Sequence, residues 1–175
     1  GPVGLEIGFG MGQALLHWAA DRPDWRLFGV EVYQPGIGSL LLGLEREKLS
    51  NVRIIEAPAE DVLQHAFVSA SIDEVRVFFP DPWPKKRHHR RRFVTPEHLE
   101  PLAHVMKPDA MLRVATDIPD YVRQTLEEVP TAGFEWLAEG PADWREPWDD
   151  WLSTRYEQKA LREGRVPHYL TFRRI

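Results

Sequence analysis

The chain has 175 residues, 22 of them basic and 27 acidic, for a net charge of −5, with 43% apolar residues and seven tryptophans. That supports one globular domain over residues 1–175 rather than a disordered tail, and the overall acidity argues against indiscriminate coating of nucleic acid or membrane. The absence of cysteine excludes disulfides, thiolate metal sites and cysteine nucleophiles, and no apolar run approaches the roughly 20 residues of a membrane span.

The chain opens at Gly1-Pro2 and enters a strand almost at once, which leaves room for an upstream N-terminal segment. Val3 to Ile7 reads as a buried strand, followed by a glycine-rich turn and a helix from about Gln13 to Ala20. Arg26 to Val32 is a second strand, Gly36 to Leu49 a helix, and Asn51 to Glu56 a third strand. A helical turn around Glu60 to His65 precedes a fourth strand, Ile72 to Phe79. Pro96 to Met106 is helical, with Thr95 as N-cap and proline at the first position. Ala110 to Ala115 is a fifth strand and Ile118 to Glu128 a helix over it. Gly140 to Asp150, rich in Pro, Trp and acidic residues, reads as a long surface loop, while Phe134 to Ala138 and His168 to Arg174 are further strands. This alternation predicts an α/β fold: a mostly parallel, seven-stranded sheet with helices on both faces. Ligands of such sheets sit beyond the carboxyl ends of the strands, where the strand order reverses.

Four strand ends carry polar residues. The first, Leu5-Glu6-Ile7-Gly8-Phe9-Gly10-Met11-Gly12, places glycines where a backbone approaches a ligand, with a helix N-terminus behind them. Gln13 stands where a dinucleotide fingerprint requires glycine, so the G-x-G-x-G pattern after an acidic residue looks instead like the first motif of S-adenosylmethionine-dependent methyltransferases. The second is Glu31, placed to accept hydrogen bonds from the ribose hydroxyls of a nucleoside. The third is Phe79-Pro80-Asp81-Pro82-Trp83-Pro84, where three prolines stiffen a turn around an acidic residue. The fourth is Thr116-Asp117.

The third motif runs into Lys85, Lys86, Arg87, Arg90, Arg91 and Arg92. Removing those six leaves 16 basic residues against 27 acidic, a balance of −11, so positive charge is concentrated in one place. A solvated loop and a localisation-type run are the plain readings of such a stretch; a phosphate-binding surface is the functional one.

The string FFPDPWPKKRH, preceded by LEIGFGMG and GVEV and followed by ATD, resembles the bacterial tRNA (guanine-N7)-methyltransferases, and Thr154-Arg155-Tyr156-Glu157 matches that family's T-[KR]-[FY]-E motif. The resemblance covers essentially the whole chain. It implies a Rossmann-like class I methyltransferase that uses S-adenosylmethionine, acts on tRNA at the variable-loop guanine and works in the cytoplasm. Glu6, Gly8, Gly10, Gly12, Glu31 and Asp81 become donor-site residues, and Lys85, Asp117, Thr154, Arg155, Tyr156 and Glu157 substrate-site residues. Pro58 stands in register with a family position that often carries Asp or Asn; it offers no polar side chain, which leaves backbone, Glu60 or Asp61 for the adenine.

Guanine N7 carries an in-plane lone pair, so its methylation needs no base, and alignment of the reactants is the enzyme's main task. Asp81 is therefore assigned to orientation, on the donor or on the guanine edge, with Asp117 and Glu157 as competing partners for that edge. Lys86, Arg87, Arg90, Arg91 and Arg92 are assigned to tRNA phosphates. The His, Asp and Glu spacing suggests no metal site, and Trp144, Trp148 and Trp151 are either stacking platforms or loop packing. A non-catalytic RNA-binding domain leaves Glu31 and the glycine loop unexplained, and a nicotinamide-dependent dehydrogenase leaves Gln13 and the basic turn unexplained. Sequence leaves monomer and homodimer equally open.

Overall fold

The computed structural model describes residues 1–175. Five strands run parallel: β1 (Val3–Ile7), β2 (Arg26–Val30), β3 (Val52–Ile55), β4 (Ile72–Phe78) and β5 (Met106–Thr116). β6 (Phe134–Trp136) and β7 (His168–Arg174) complete the sheet, with β7 antiparallel to both β5 and β6. The strand order is β3-β2-β1-β4-β5-β7-β6, so the direction of winding reverses between β1 and β4. The helices are α1 (Gln13–Asp21), α2 (Gln34–Arg46), α3 (Ala59–His65), α4 (Pro96–Val105), α5 (Pro119–Glu128), α6 (Ala142–Arg145) and α7 (Arg155–Arg162).

Alternation along the central strands gives the two faces different chemistry. Leu5, Ile7, Val75, Val77, Leu112 and Val114 point to one face and join Val62, Leu99, Leu102 and Tyr121 of α3, α4 and α5 in a buried core. Each fully buried leucine there contributes roughly 1.5–3 kcal/mol. α1 and α2 cover the other face through Leu15, Trp18 and Leu40, packed on Leu27. On that face the central strands carry Glu6, Glu74, Arg76 and Arg113 in place of apolar side chains.

This polar face pins the segment that leads to the site. Arg76 and Arg113 are register partners on β4 and β5, and both donate to Asp150, at 3.2 and 2.8 Å. Arg76 also donates to Glu74 and lies 3.8 Å from the centroid of the Trp18 ring. A buried ion network contributes little net stability against its desolvation cost. Its consequence here is positional, because Asp150 fixes Trp148 and Trp151 against the sheet.

Besides α6, a four-residue helix inside the segment read as a surface loop, three elements depart from the sequence expectation in ways that bear on the site. β2 stops at Val30, leaving Glu31 as the first residue beyond it. β5 begins at Met106 rather than Ala110, because Met106 pairs with Ile72 and Met111 with Glu74, and the extra residues bulge through Asp109 at φ 69°. The third is α7, which the sequence analysis leaves unread. Thr154 caps it, its hydroxyl accepting the Glu157 N–H at 3.2 Å. Thr-x-x-Glu is a helix-start signal, so the motif taken only as a substrate contact also nucleates a helix.

Candidate active site

The loop after β1 turns through three left-handed glycines, Gly8 at φ 70°, Gly10 at 59° and Gly12 at 86°. α2 packs so tightly on it that a Cβ at Gly36 would lie 1.9 Å from the Gly10 carbonyl oxygen. Glu31 is tied to the same loop. Its Oε2 accepts the Gly10 N–H at 2.8 Å, and its Oε1 accepts those of Val32 and Tyr33 at 3.0 and 3.2 Å. A carboxylate accepts about four hydrogen bonds, so an acceptor position remains for a ligand.

Glu6 lies inside β1 and is only 2% exposed, and its Oε1 has no hydrogen-bond partner. Burial pushes its carboxyl up to about 8, opposed by the charge of Arg76 and reinforced by that of Glu31. A buried, unpartnered carboxyl group next to a glycine loop is suited to a cationic ligand, which would supply both a hydrogen-bond donor and the opposite charge.

Two cavities open on the glycine loop and share Gly8. One, of about 520 Å³, is lined by Glu6, Gly12, Gln13, Phe79, Thr154 and Tyr156 among others. The second, of about 540 Å³, is lined by Glu31, Pro58, Glu60, Asp81, Arg90 and His98 among others. Pro58 precedes α3 and offers only its ring and backbone to this cavity. Glu60 is held by His98 Nε2 at 3.1 Å, and the Thr95 hydroxyl bonds His98 Nδ1 rather than capping α4.

Asp81 is exposed on the turn after β4, between two non-glycine residues in the left-handed region, Phe79 at φ 48° and Trp83 at φ 39°. Such conformations cost of order 1–3 kcal/mol each and persist where surrounding contacts over-determine them. The Phe79 N–H is held by the Ala115 carbonyl at 2.7 Å. Arg92 holds the other side, donating to the carbonyl oxygens of Pro82 at 2.8 Å and Trp83 at 3.5 Å.

This placement corrects the assignment of Arg92 to tRNA phosphates. Its side chain is 1% exposed and also donates to Asp120 and Gln124, each at 2.8 Å. Sequence offers no means of telling the sixth cation of a basic run from the other five; only the fold turns it inward. Lys85, Lys86, Arg87, Arg90 and Arg91 are exposed on and beside a short 3-10 turn (Lys86–Arg91), with the Arg91 guanidinium 5.1 Å from the Trp83 ring.

Beyond β4 and β5 a third group of residues meets. Asp117, 3% exposed, accepts from Arg165 Nε at 2.6 Å and from the Tyr156 hydroxyl at 3.3 Å. Tyr156 packs on Phe79 with ring centroids 4.9 Å apart, and burial together with Asp117 raises its hydroxyl above the usual phenol range. Glu157 is buried, with its carboxylate bonded to the Tyr169 hydroxyl at 2.8 Å and to Trp151 Nε1. Trp148 and Trp151 pack against Phe78 and Tyr169, so these two tryptophans brace the site from beneath. Trp144 stacks on His168 at 5.4 Å. No group of three or more His, Asp or Glu side chains is arranged to hold a metal ion, and no helix is long and apolar enough to cross a membrane.

Sequence reading missed Gln13, Arg165 and Asp150. Gln13 was noted only as a departure from a dinucleotide fingerprint, yet its Oε1 accepts the backbone N–H of Arg155 at 3.3 Å. Arg165 and Asp150 carry no local signal for the site, because the site partner of Arg165, Asp117, lies 48 positions away and the partners of Asp150 lie 37 and 74 away.

A glycine loop after β1, an acidic residue beyond β2 and a polar turn after β4, on a sheet that ends in an antiparallel β7, define the class I methyltransferase fold. Solved structures share it. The 16S rRNA methyltransferase KamB aligns with TM-score 0.69 at 19% identity, covering 99% of this chain and 87% of that one. A 16S rRNA (adenine(1408)-N(1))-methyltransferase variant from Catenulisporales acidiphilia, with cosubstrate SAM, aligns with TM-score 0.66 at 17% identity, over 99% and 86%. A family model described as "Putative methyltransferase" matches residues 1–170. The tRNA (guanine-N(7)-)-methyltransferase of Ruegeria pomeroyi is 64% identical over 171 residues, 98% of this chain and 72% of that protein. This chain belongs to that methyltransferase family, the tRNA (guanine-N(7)-)-methyltransferases.

Proposed function

We propose that the chain transfers the methyl group of S-adenosylmethionine to N7 of a guanine in tRNA, at the variable loop, in the cytoplasm, and that residues 1–175 act as one methyltransferase domain. The observation that carries the donor assignment is the pair of cavities meeting at Gly8, one holding the unpartnered carboxyl of Glu6 and the other the amide-anchored carboxylate of Glu31. Glu6 suits the amino group of the donor's methionine end, and Glu31 its ribose hydroxyls, with Gly8, Gly10 and Gly12 admitting the ligand between them. When bound, S-adenosylmethionine supplies an electrophilic methyl group on a sulfonium.

Guanine N7 presents its lone pair without losing a proton, so no residue here has to act as a base. The chain's contribution is placement, which alone is worth several orders of magnitude in rate. The clamped turn carries Asp81 to the rim of the donor cavity, where it orients the donor or the guanine edge. Tyr156 and Phe79 offer aromatic faces to the purine, and Asp117 has acceptor positions left for a guanine's N1–H and N2–H once Tyr156 yields. Glu157 and Asp117 each already accept two hydrogen bonds. What favours Asp117 as the guanine partner is that its partner Tyr156 is exposed and lines the cavity, whereas Tyr169, the partner of Glu157, is buried. Lys85 and the exposed basic turn face the phosphates.

The test is transfer of label from methyl-labelled S-adenosylmethionine to unmodified bulk tRNA, followed by nucleoside analysis. Label in 7-methylguanosine is expected; label in another nucleoside, or none, rejects the reading. Calorimetry with NAD in place of the donor should give no binding.

A further inference from the structure

The two sides of α7 differ completely. Glu157 and Ala160 are buried, whereas Arg155, Lys159 and Arg162 are exposed. At about 100° per residue the three cations fall within an arc of roughly 60°, on the side of the helix away from the buried pair. None of the three forms an ion pair. The nearby carboxylates are engaged elsewhere: Asp117 and Glu163 both accept from Arg165, although Glu163 stays within Coulombic reach of Lys159 and Arg162. Arg155 and Lys159, like charges at i and i+4, repel each other, a cost that the helix dipole offsets in part for Lys159 and Arg162 in the last turn.

The helix is held rigidly at the site despite that cost. Thr154 caps it, Gln13 of the glycine-loop side accepts the Arg155 N–H, and Glu157 is locked by Trp151 and Tyr169. Arg155 lines the cavity that contains Glu6, while Arg90 and Arg91 line the one that contains Glu31. The row therefore starts at the rim of one cavity and runs away from it for about 10 Å, and the basic turn borders the other. Positive charge is thus not concentrated in one place, as the sequence suggested, but gathered at two places, one beside each of the two cavities that share Gly8.

We propose that Arg155, Lys159 and Arg162 form a second surface for the phosphate backbone of tRNA, so that the substrate is gripped from α7 as well as from the basic turn. The inference rests on the reading above that tRNA is the acceptor. A fixed row of unpaired cations on an otherwise acidic protein is complementary to a polyanion.

The experiment uses the double variant Lys159→Ala/Arg162→Ala, which leaves the cavity-lining Arg155 in place, and the charge-keeping pair Lys159→Arg/Arg162→Lys. Binding of unmodified tRNA is measured between about 50 and 200 mM salt, a range over which phosphate contacts dominate the change in affinity. The alanine pair should weaken binding at low salt and reduce the slope of log K against log salt by roughly 1.4–1.8, the release expected for two phosphate contacts. Melting temperature and affinity for S-adenosylhomocysteine should remain those of the wild type, and the charge-keeping pair should retain the wild-type slope. Wild-type slope and affinity in the alanine pair overturn the proposal, as does an equal loss in the charge-keeping pair. A wild-type protein that binds tRNA but transfers no label overturns the reading of the reaction instead, and one that binds no tRNA overturns both.

Discussion

The side-chain oxygen of Gln13 accepts the backbone N–H of Arg155 at 3.3 Å, across 142 positions of sequence. It ties the first turn of α7 to the start of α1, beside the glycine loop. Gln13→Ala removes an exposed neutral hydrogen bond worth at most roughly 0.5–1.5 kcal/mol. Expected results are a small fall in melting temperature and a KM for tRNA raised several-fold, with some loss of donor affinity because Gln13 also lines the cavity that holds Glu6. Unchanged steady-state kinetics would make the contact incidental.

Glu6 makes a prediction about pH. The folded chain holds its proton to about pH 8, while an unfolded chain releases it near 4.5. Between these values the folded state binds more protons, so this contribution to stability is fully present below about 4.5 and lost as pH rises through 8. Wild-type melting temperature should therefore fall more steeply from pH 6 to 9 than that of Glu6→Gln, which cannot ionise. The variant should lose donor affinity by roughly tenfold or more, the price of one charged hydrogen bond. Parallel melting curves in the two proteins would contradict the buried, unpartnered carboxyl.

Arg92 and its neighbours in the basic run separate in opposite directions. Arg92→Ala leaves the Pro82 and Trp83 carbonyl groups without their donor and should destabilise the chain by about 1.5–3 kcal/mol. Arg90→Ala/Arg91→Ala should leave stability within about 0.5 kcal/mol, as surface changes do, and flatten the salt dependence of tRNA binding. Denaturant titration and salt titration of both variants distinguish them. Equal stability in the two would return Arg92 to the surface.

Asp117 is paired with Arg165, whose Nε donates to it at 2.6 Å. Arg165→Met keeps the length of the side chain but removes the cation from a carboxylate that is 3% exposed. The buried carboxylate is then left without its cation, and removing one partner of such a pair is destabilising. KM for tRNA should rise, with donor affinity kept. A wild-type KM for tRNA in the variant would show that Arg165 acts only as packing.

The sheet was legible because alternation, glycine turns and strand-length apolar runs are local signals, and β7 was read to the residue. The placement of Glu31 beside the glycine loop was legible too, since it follows from its position at the end of β2. α7 was written in Thr154 and Glu157 as a helix cap but hidden by their match to a substrate motif. The orientation of Arg92 and the clamp of Asp150 between Arg76 and Arg113 were not readable, because inward or outward placement of a charge depends on partners far along the chain.

The central claim is that the turn after β4 accelerates transfer by holding the reactants, with Asp81 orienting them and no base at N7. Single-turnover methylation of tRNA by Asp81→Asn, at saturating donor, tests it most directly. The substitution keeps size but removes the charge and half the accepting capacity. A chemical step slowed by roughly 10²-fold or more, with intact folding, is expected. A wild-type chemical step in the Asn variant would contradict it.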